Sequence, residues 1–210
     1  MSERETDFGY QRVPEHEKAA RVRGVFDSVS SRYDLMNDLM SAGVHRLWKR
    51  YALSQTGLRP GQAALDVAGG TGDLAAGMAA QVGERGLVVL SDINEAMLVA
   101  GIKPDDHNMP RLACDAAALP FPDRCADAVT ISFGIRNVVE IDKALLEFRR
   151  VLKPGGRFAC LEFSHMTHRV LQQAYDQYSF NVIPALGGLV TGDKDSYKYL
   201  VESIRRFPNQ

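Results

Sequence analysis

The sequence predicts a doubly wound α/β fold, a mostly parallel sheet with helices on both faces, preceded by an amino-terminal helical cap. Three observations predict it. From residue 63 onward short apolar runs alternate with helical segments. A glycine-rich turn, "LDVAGGTGDLA" at 65–75, joins the first run to a helix. The next run, "GLVVLSD", ends in an acid, Asp92, as nucleotide-binding sheets do.

In order along the chain, the segment from Pro14 to about Leu58 carries Val25, Phe26, Val29, Tyr33, Met36, Leu39 and Met40 at three- and four-residue steps, which predicts helices. Residues 1–58 are read as the cap. "GLRPGQ" then punctuates the chain, and 59–210 are expected to form the core. "AALDVA" and "GLVVLSD" read as strands, each followed by a helix, "LAAGMAAQV" and "NEAMLVAG". "ADAVTISF", the helix "DKALLEFRRVL", the strand "GRFACLEF" and a tyrosine-rich helix from about Val170 complete the pattern. In the clearest helix Ile141, Leu145, Phe148 and Leu152 are expected to share a face, with "KPGG" at 153–156 stopping it. The uncharged "FNVIPALGGLV" at 180–190 reads as core packing or as a hinged apolar rim.

With 210 residues, 45% of them hydrophobic, and a net charge of -1, the chain can bury a sizeable core and offers no broad positive field for nucleic acid. Cys114, Cys125 and Cys160 are widely spaced, so neither a disulfide framework nor a zinc site is signalled, and a cytoplasmic setting is expected. His165 and His168 have i, i+3 spacing without a third ligand nearby, and no metal is expected. The polar start "MSERETDFGY" is not a secretion signal, and no run approaches the roughly 20 apolar residues of a membrane span.

The glycine turn carries the first chemistry. Gly70, Gly72 and Ala75 match G-x-G-x-x-A, and Asp92 lies at the spacing of an acid that holds ribose hydroxyls. A dinucleotide would place pyrophosphate on the helix start. Here Asp73 begins that helix and Asp66 precedes the glycines. Two acids suit S-adenosyl-L-methionine, which has no phosphate and carries an ammonium and a sulfonium; an NAD-dependent oxidoreductase stays open on the glycine spacing alone. Asp115, before Ala116, is placed either to accept from an adenine amino group or to cap a turn. "SFGIRN" at 132–137 ends a strand and presents Arg136 beside Asn137 at the carboxyl end of the sheet, where ligands bind.

Together with "VFDSVSSRYDLMNDLMSAGVHRLWK", "SDINEAML", "ALPFPD", "ISFGIRNV", "RVLKPGG", "LEFS" and "DSYKYLVESIRRFPNQ", these motifs span nearly the whole chain. They resemble the class I S-adenosylmethionine-dependent methyltransferases, and among them the ubiquinone/menaquinone biosynthesis C-methyltransferases of the UbiE/MenG type. The resemblance implies methyl transfer from S-adenosyl-L-methionine to a ring carbon of a polyprenyl hydroquinone. It implies cofactor contacts from Thr71, Asp92, Asp115, Ala116 and Ser132, beside Asp66, Gly70 and Gly72 from the turn. Tyr33, Arg136 and Asn137 are implied to face the substrate. For that chemistry Arg136 would stabilise a phenolate or orient a water, and Asp34 would either accept a proton or cap its helix. Peripheral contact with a membrane follows from the prenyl tail, and a homodimer or a quinone-biosynthesis assembly are the partners considered. An S-adenosylmethionine-binding scaffold with little activity is the alternative. Two departures accompany the resemblance. Family members usually continue past "RRFPNQ", so the last strand pair is expected to be missing, and the segment between Met97 and Cys114 is short, so the third strand is expected to be altered.

Overall fold

The computed structural model describes residues 5–30, 33–102, 109–164, 168–191 and 193–208, with the backbone alone at 33, 34 and 189–191. In chain order these form β1 (Glu5–Phe8), β2 (Gln11–Pro14), α1 (Glu15–Val29), α2 (Tyr33–Ser41), α3 (His45–Thr56), β3 (Ala63–Val67), α4 (Asp73–Val82), β4 (Leu87–Asp92), α5 (Glu95–Ala100), β5 (Arg111–Ala113) and β6 (Ala126–Ser132). A 3-10 turn (Ile135–Asn137), α6 (Ile141–Val151), β7 (Leu152–Leu161), α7 (Arg169–Gln177), a π turn (Tyr178–Val182), α8 (Ile183–Thr191) and α9 (Lys194–Arg206) follow. They fall into two compact units, 1–45 with 163–210, and 46–162. The division differs from the expected boundary at 58: α3 beyond His45 belongs with the sheet, and the last helices belong with the first.

In the first unit the three- and four-residue periodicity holds, since Val25, Val29, Met36 and Met40 are all buried. The hairpin β1–β2 escaped that reading. Its strands are four residues each and its turn depends on Gly9 at φ +60. Phe8 stacks on Tyr199 of α9 at 4.1 Å, and Tyr10 N donates to Glu202 at 3.0 Å. The hydroxyls of Tyr175 and Tyr178 donate to the carbonyls of Met40 and Leu39, satisfying acceptors that the end of α2 leaves open. Along "FNVIPALGGLV", Ile183 and Pro184 are buried and a Cβ on Gly187 would stand 2.4 Å from the Tyr197 ring, so this stretch packs.

The second unit is built on five parallel strands in the order β5-β4-β3-β6-β7. The chain winds outward from β3 through β4 to β5, then returns to the other side of β3 with β6 and β7. The switch therefore lies between β3 and β6, and a crevice opens at their carboxyl ends. Beneath it Ala75, Met78 and Val82 of α4 pack with Leu90, Val88, Ala64 and Ala128. Burying Met78, Val82, Val88 and Leu90 contributes about 1.5–3 kcal/mol for each side chain, and the alanines less. In α6 the buried face is Ala144, Phe148 and Val151, while Leu145 is exposed and Leu152 already starts β7. "KPGG" thus lies within β7 and does not stop the helix. β5 has only three residues, in keeping with the short segment before it.

Candidate active site

Beyond Val67 the chain turns through Ala68 (φ +50), Gly70 (φ +58) and Gly72 (φ +90) into α4. Gly72 is required twice over: its φ is left-handed, and a Cβ there would come 2.9 Å from the Leu90 side chain. Long-range bonds pin the turn. Gly69 N donates to Ser91 O at 3.1 Å and Gly70 N to Asp92 Oδ2 at 2.9 Å. Asp92 Oδ1 accepts from Asn94 N at 2.9 Å, and burial pushes this carboxyl above its ordinary range. The result is a rigid, half-buried carboxylate beside the glycine turn, a fitting acceptor for a vicinal diol.

Asp66 behaves differently from the expectation of a cofactor contact. It has no exposed surface. Thr130 Oγ1 donates to Oδ1 at 2.6 Å and Ala75 N to Oδ2 at 3.1 Å. Burial pushes its carboxyl up to about 7, against those two bonds. Asp66 therefore ties β3, β6 and the first turn of α4 together and has no face for a ligand. Asp73 is engaged as well, accepting from Lys49 Nζ at 3.0 Å. Of the two acids, Asp66 is thus a buried structural group and Asp73 is paired with a lysine.

The remaining residues line the carboxyl ends of β5 and β6. Asp115 is exposed and caps its turn by accepting from Ala117 N at 2.8 Å, with Ala116 buried behind it. Ser132 closes β6, and its Oγ is buried without a hydrogen-bond partner among the described residues. A buried hydroxyl left in this way at a switch point is what a bound ligand would satisfy. The donor set fits S-adenosyl-L-methionine in its chemistry: a half-buried carboxylate at Asp92, an exposed one at Asp115 beside buried Ala116, and the buried Ser132 hydroxyl face no phosphate and can meet a diol, an amine and a cation.

Past Ser132 the chain kinks at Phe133, whose φ is +56, and Phe133 N donates to Leu161 O at 2.7 Å. Gly134 answers to sterics: a Cβ there would lie 2.8 Å from Ala68 Cβ. The 3-10 turn that follows buries Arg136. Its Nη1 donates to Phe133 O and, at 2.9 Å each, to both carboxylate oxygens of Glu162, which directly follows β7. Only 3% of the arginine side chain and 8% of the glutamate's are exposed. Arg136 is therefore one half of a buried ion pair. Asn137, half-buried, is the next residue.

Thus Gly70, Thr71, Gly72, Asp92, Asp115, Ala116, Ser132, Arg136 and Asn137 all gather at one end of the 46–162 unit. Tyr33 opens α2 in the other unit, and its side chain, that of Asp34, and His165 lie outside the described residues. Three participants escaped the sequence reading. Thr130 is signalled by a hydroxyl between apolar neighbours in "AVTI", Glu162 by an acid closing a strand, and Lys49 only as part of a short basic run.

Comparison with known proteins places this arrangement. Proteins named ubiquinone/menaquinone biosynthesis C-methyltransferase UbiE are 55% identical in Methylococcus capsulatus, over all of this chain and 87% of that protein, and 53% identical in Escherichia coli O1:K1 / APEC, over all of this chain and 85% of that one. Among solved structures, a SAM dependent methyltransferase from Aquifex aeolicus superposes with a TM-score of 0.52 at 26% identity, over 58% of this chain and 66% of that one. The [4+2]-cyclase SpnF superposes with a TM-score of 0.58 at 22% identity, over 71% and 62% of the two chains, and speaks for the fold alone. The model of the ubiE/COQ5 methyltransferase family matches residues 14–210, and the chain belongs to that family.

Proposed function

We propose that this chain transfers a methyl group from S-adenosyl-L-methionine to a ring carbon of a polyprenyl hydroquinone in ubiquinone or menaquinone biosynthesis. The observation that carries this reading is the likeness to C-methyltransferases along the whole chain. The cofactor supplies an electrophilic methyl group on a sulfonium. The chain's part is to hold donor and acceptor in line, exclude water and favour the ionised ring hydroxyl, since a neutral quinol carbon is a weak nucleophile. Asp92, Ser132, Asp115 and the glycine turn bind and orient the donor. Arg136, already fixed in place, offers an oriented guanidinium to the ring oxygen, and Asn137 stands beside it. Arginine stays protonated and so cannot itself take the proton.

The prenyl tail calls for a lipid-facing surface. Among the described residues no helix is long and apolar enough to cross a membrane. Helix α3 carries Leu47 and Tyr51 outward, 61% and 68% exposed, with Trp48 beside them and Arg46 and Arg50 on the flank. An apolar stripe edged by arginines supports peripheral contact with an anionic membrane. Leu47→Ser with Tyr51→Ser should reduce sedimentation with phosphatidylglycerol vesicles; unchanged sedimentation would remove α3 from this role. The function itself is tested with labelled S-adenosyl-L-methionine and short-chain naphthoquinol and benzoquinol acceptors. Label on a ring carbon of either supports the reading, and label on neither overturns it.

A further inference from the structure

We propose that Glu162 is a positioning residue for methyl transfer, holding the guanidinium of Arg136 and cancelling its charge so that the arginine meets the substrate as an aimed donor and not as a bare cation. The inference rests on the quinol methylation proposed above.

The geometry is specific. β6 and β7 are parallel neighbours with Ser132 opposite Leu161, so the residues just past each strand share the same rim of the crevice. Nη1 of Arg136 reaches both oxygens of Glu162 at 2.9 Å, and also the Phe133 carbonyl, which fixes one corner of the guanidinium from three sides. An arginine side chain has much rotamer freedom to lose when it is fixed. Here that loss is taken in the folded protein, before any substrate arrives.

Stability is a poor explanation for such a pair. Two charges buried this deeply lose hydration that their attraction barely restores, and apolar replacements of similar volume are often neutral or stabilising. The pair stands where the reaction needs an oriented donor, and where a sulfonium must also be tolerated. An uncompensated guanidinium would oppose that second cation, whereas the neutral pair does not. Glu162 thus acts through Arg136, trading some electrostatic pull on the ring oxygen for fixed aim and a neutral crevice.

Charge and aim can be separated by experiment. In Glu162→Gln the shape stays while the negative charge goes, so Arg136 pulls harder on the phenolate but from a looser position. The acid limb of the kcat against pH profile, set by ionisation of the quinol, should move down by about one pH unit, and the plateau should fall about tenfold or more. Glu162→Asp should return the limb to its wild-type place and recover part of the plateau. In an Arg136→Gln background, Glu162→Gln should cost less than about twofold further, because its route of action is already gone. Melting temperature and calorimetric affinity for S-adenosyl-L-methionine accompany each variant, and a purely structural glutamate would lower the melting temperature and leave the limb unmoved. That outcome, or an equal loss in the Arg136→Gln background, overturns the proposal. If the wild-type protein methylates neither quinol, the functional reading fails and takes this one with it. If the wild type is active and Glu162→Gln keeps its limb and plateau, only the role of Glu162 falls.

Discussion

Replacing Asp66 with Asn should change how stability depends on pH while leaving the fold intact. Burial raises the Asp66 carboxyl from 3.8 to about 7, so the folded chain keeps a proton that the unfolded chain releases in between. The sign follows from proton linkage. Below about pH 4 both states hold the proton and Asp66 costs nothing. As pH rises the unfolded state gains from ionising while the folded state cannot, so stability falls, and it levels off above about pH 7 to 8 once both are ionised. A separation of about three pH units at about 1.4 kcal/mol each amounts to about 4 kcal/mol, of which about 2 to 3 kcal/mol develops between pH 5 and pH 8. Asn can accept from Ala75 N and donate to Thr130 Oγ1, meeting both partners that Asp66 meets now. It does not ionise. Urea unfolding of both proteins at pH 5, 6, 7 and 8 measures the difference directly. The stability of the Asn variant relative to wild type should rise by about 2 to 3 kcal/mol across that range. Two curves that run parallel from pH 5 to pH 8 would show that Asp66 is not held neutral by burial, and the assignment would be wrong.

Asp92→Ala should weaken S-adenosyl-L-methionine binding by about 1.5–3 kcal/mol, the scale of hydrogen bonds to a charged acceptor, and an unchanged calorimetric affinity would remove Asp92 from the site. Arg136→Met strands Glu162 as a buried charge, so it should destabilise by about 3–5 kcal/mol in urea unfolding and lower transfer by about two to three orders of magnitude. Adding Glu162→Met should restore the stability and not the transfer; recovery of both would make the pair merely structural. Gly72→Ala must adopt a φ of +90 against Leu90, so the melting temperature and the cofactor affinity should fall together. Wild-type affinity in that variant would mean that the turn does not shape the cofactor site.

Much of the 46–162 unit is legible in the sequence because its signals are local. A glycine turn between a strand and a helix, and an acid at the end of the next strand, place Gly70, Gly72 and Asp92 without knowledge of any distant residue. What the sequence hides is partnership. Nothing in "LDVAGG" tells that Asp66 faces Thr130 on a strand far along the chain, so an acid that closes the core reads as an acid awaiting a ligand. Arg136 is similar: its position at the rim is legible, and its neutralisation by Glu162 is not, because it depends on the register of β6 against β7. In α6 the period is legible and its phase is not, since Leu145 and Ala144 compete for the inward face and the sheet chooses the smaller side chain. The hairpin of β1 and β2 is too short for alternation to stand out, and it takes shape by packing Phe8 on Tyr199 at the far end of the chain.

The close passage of Gly134 over Ala68 also bears on how the protein folds. Both corners lie just past the ends of neighbouring strands, and both hold a non-glycine residue, Ala68 or Phe133, in the left-handed region. Neither conformation is favoured by its own segment, so neither corner should persist in a fragment. They can be held only once β3 and β6 have paired, a contact between segments more than sixty residues apart. Pairing at that separation carries a large loop-closure cost and belongs to the slower part of folding. The crevice is therefore expected to form late, and a refolding chain should gain helix signal well before it can bind its ligand.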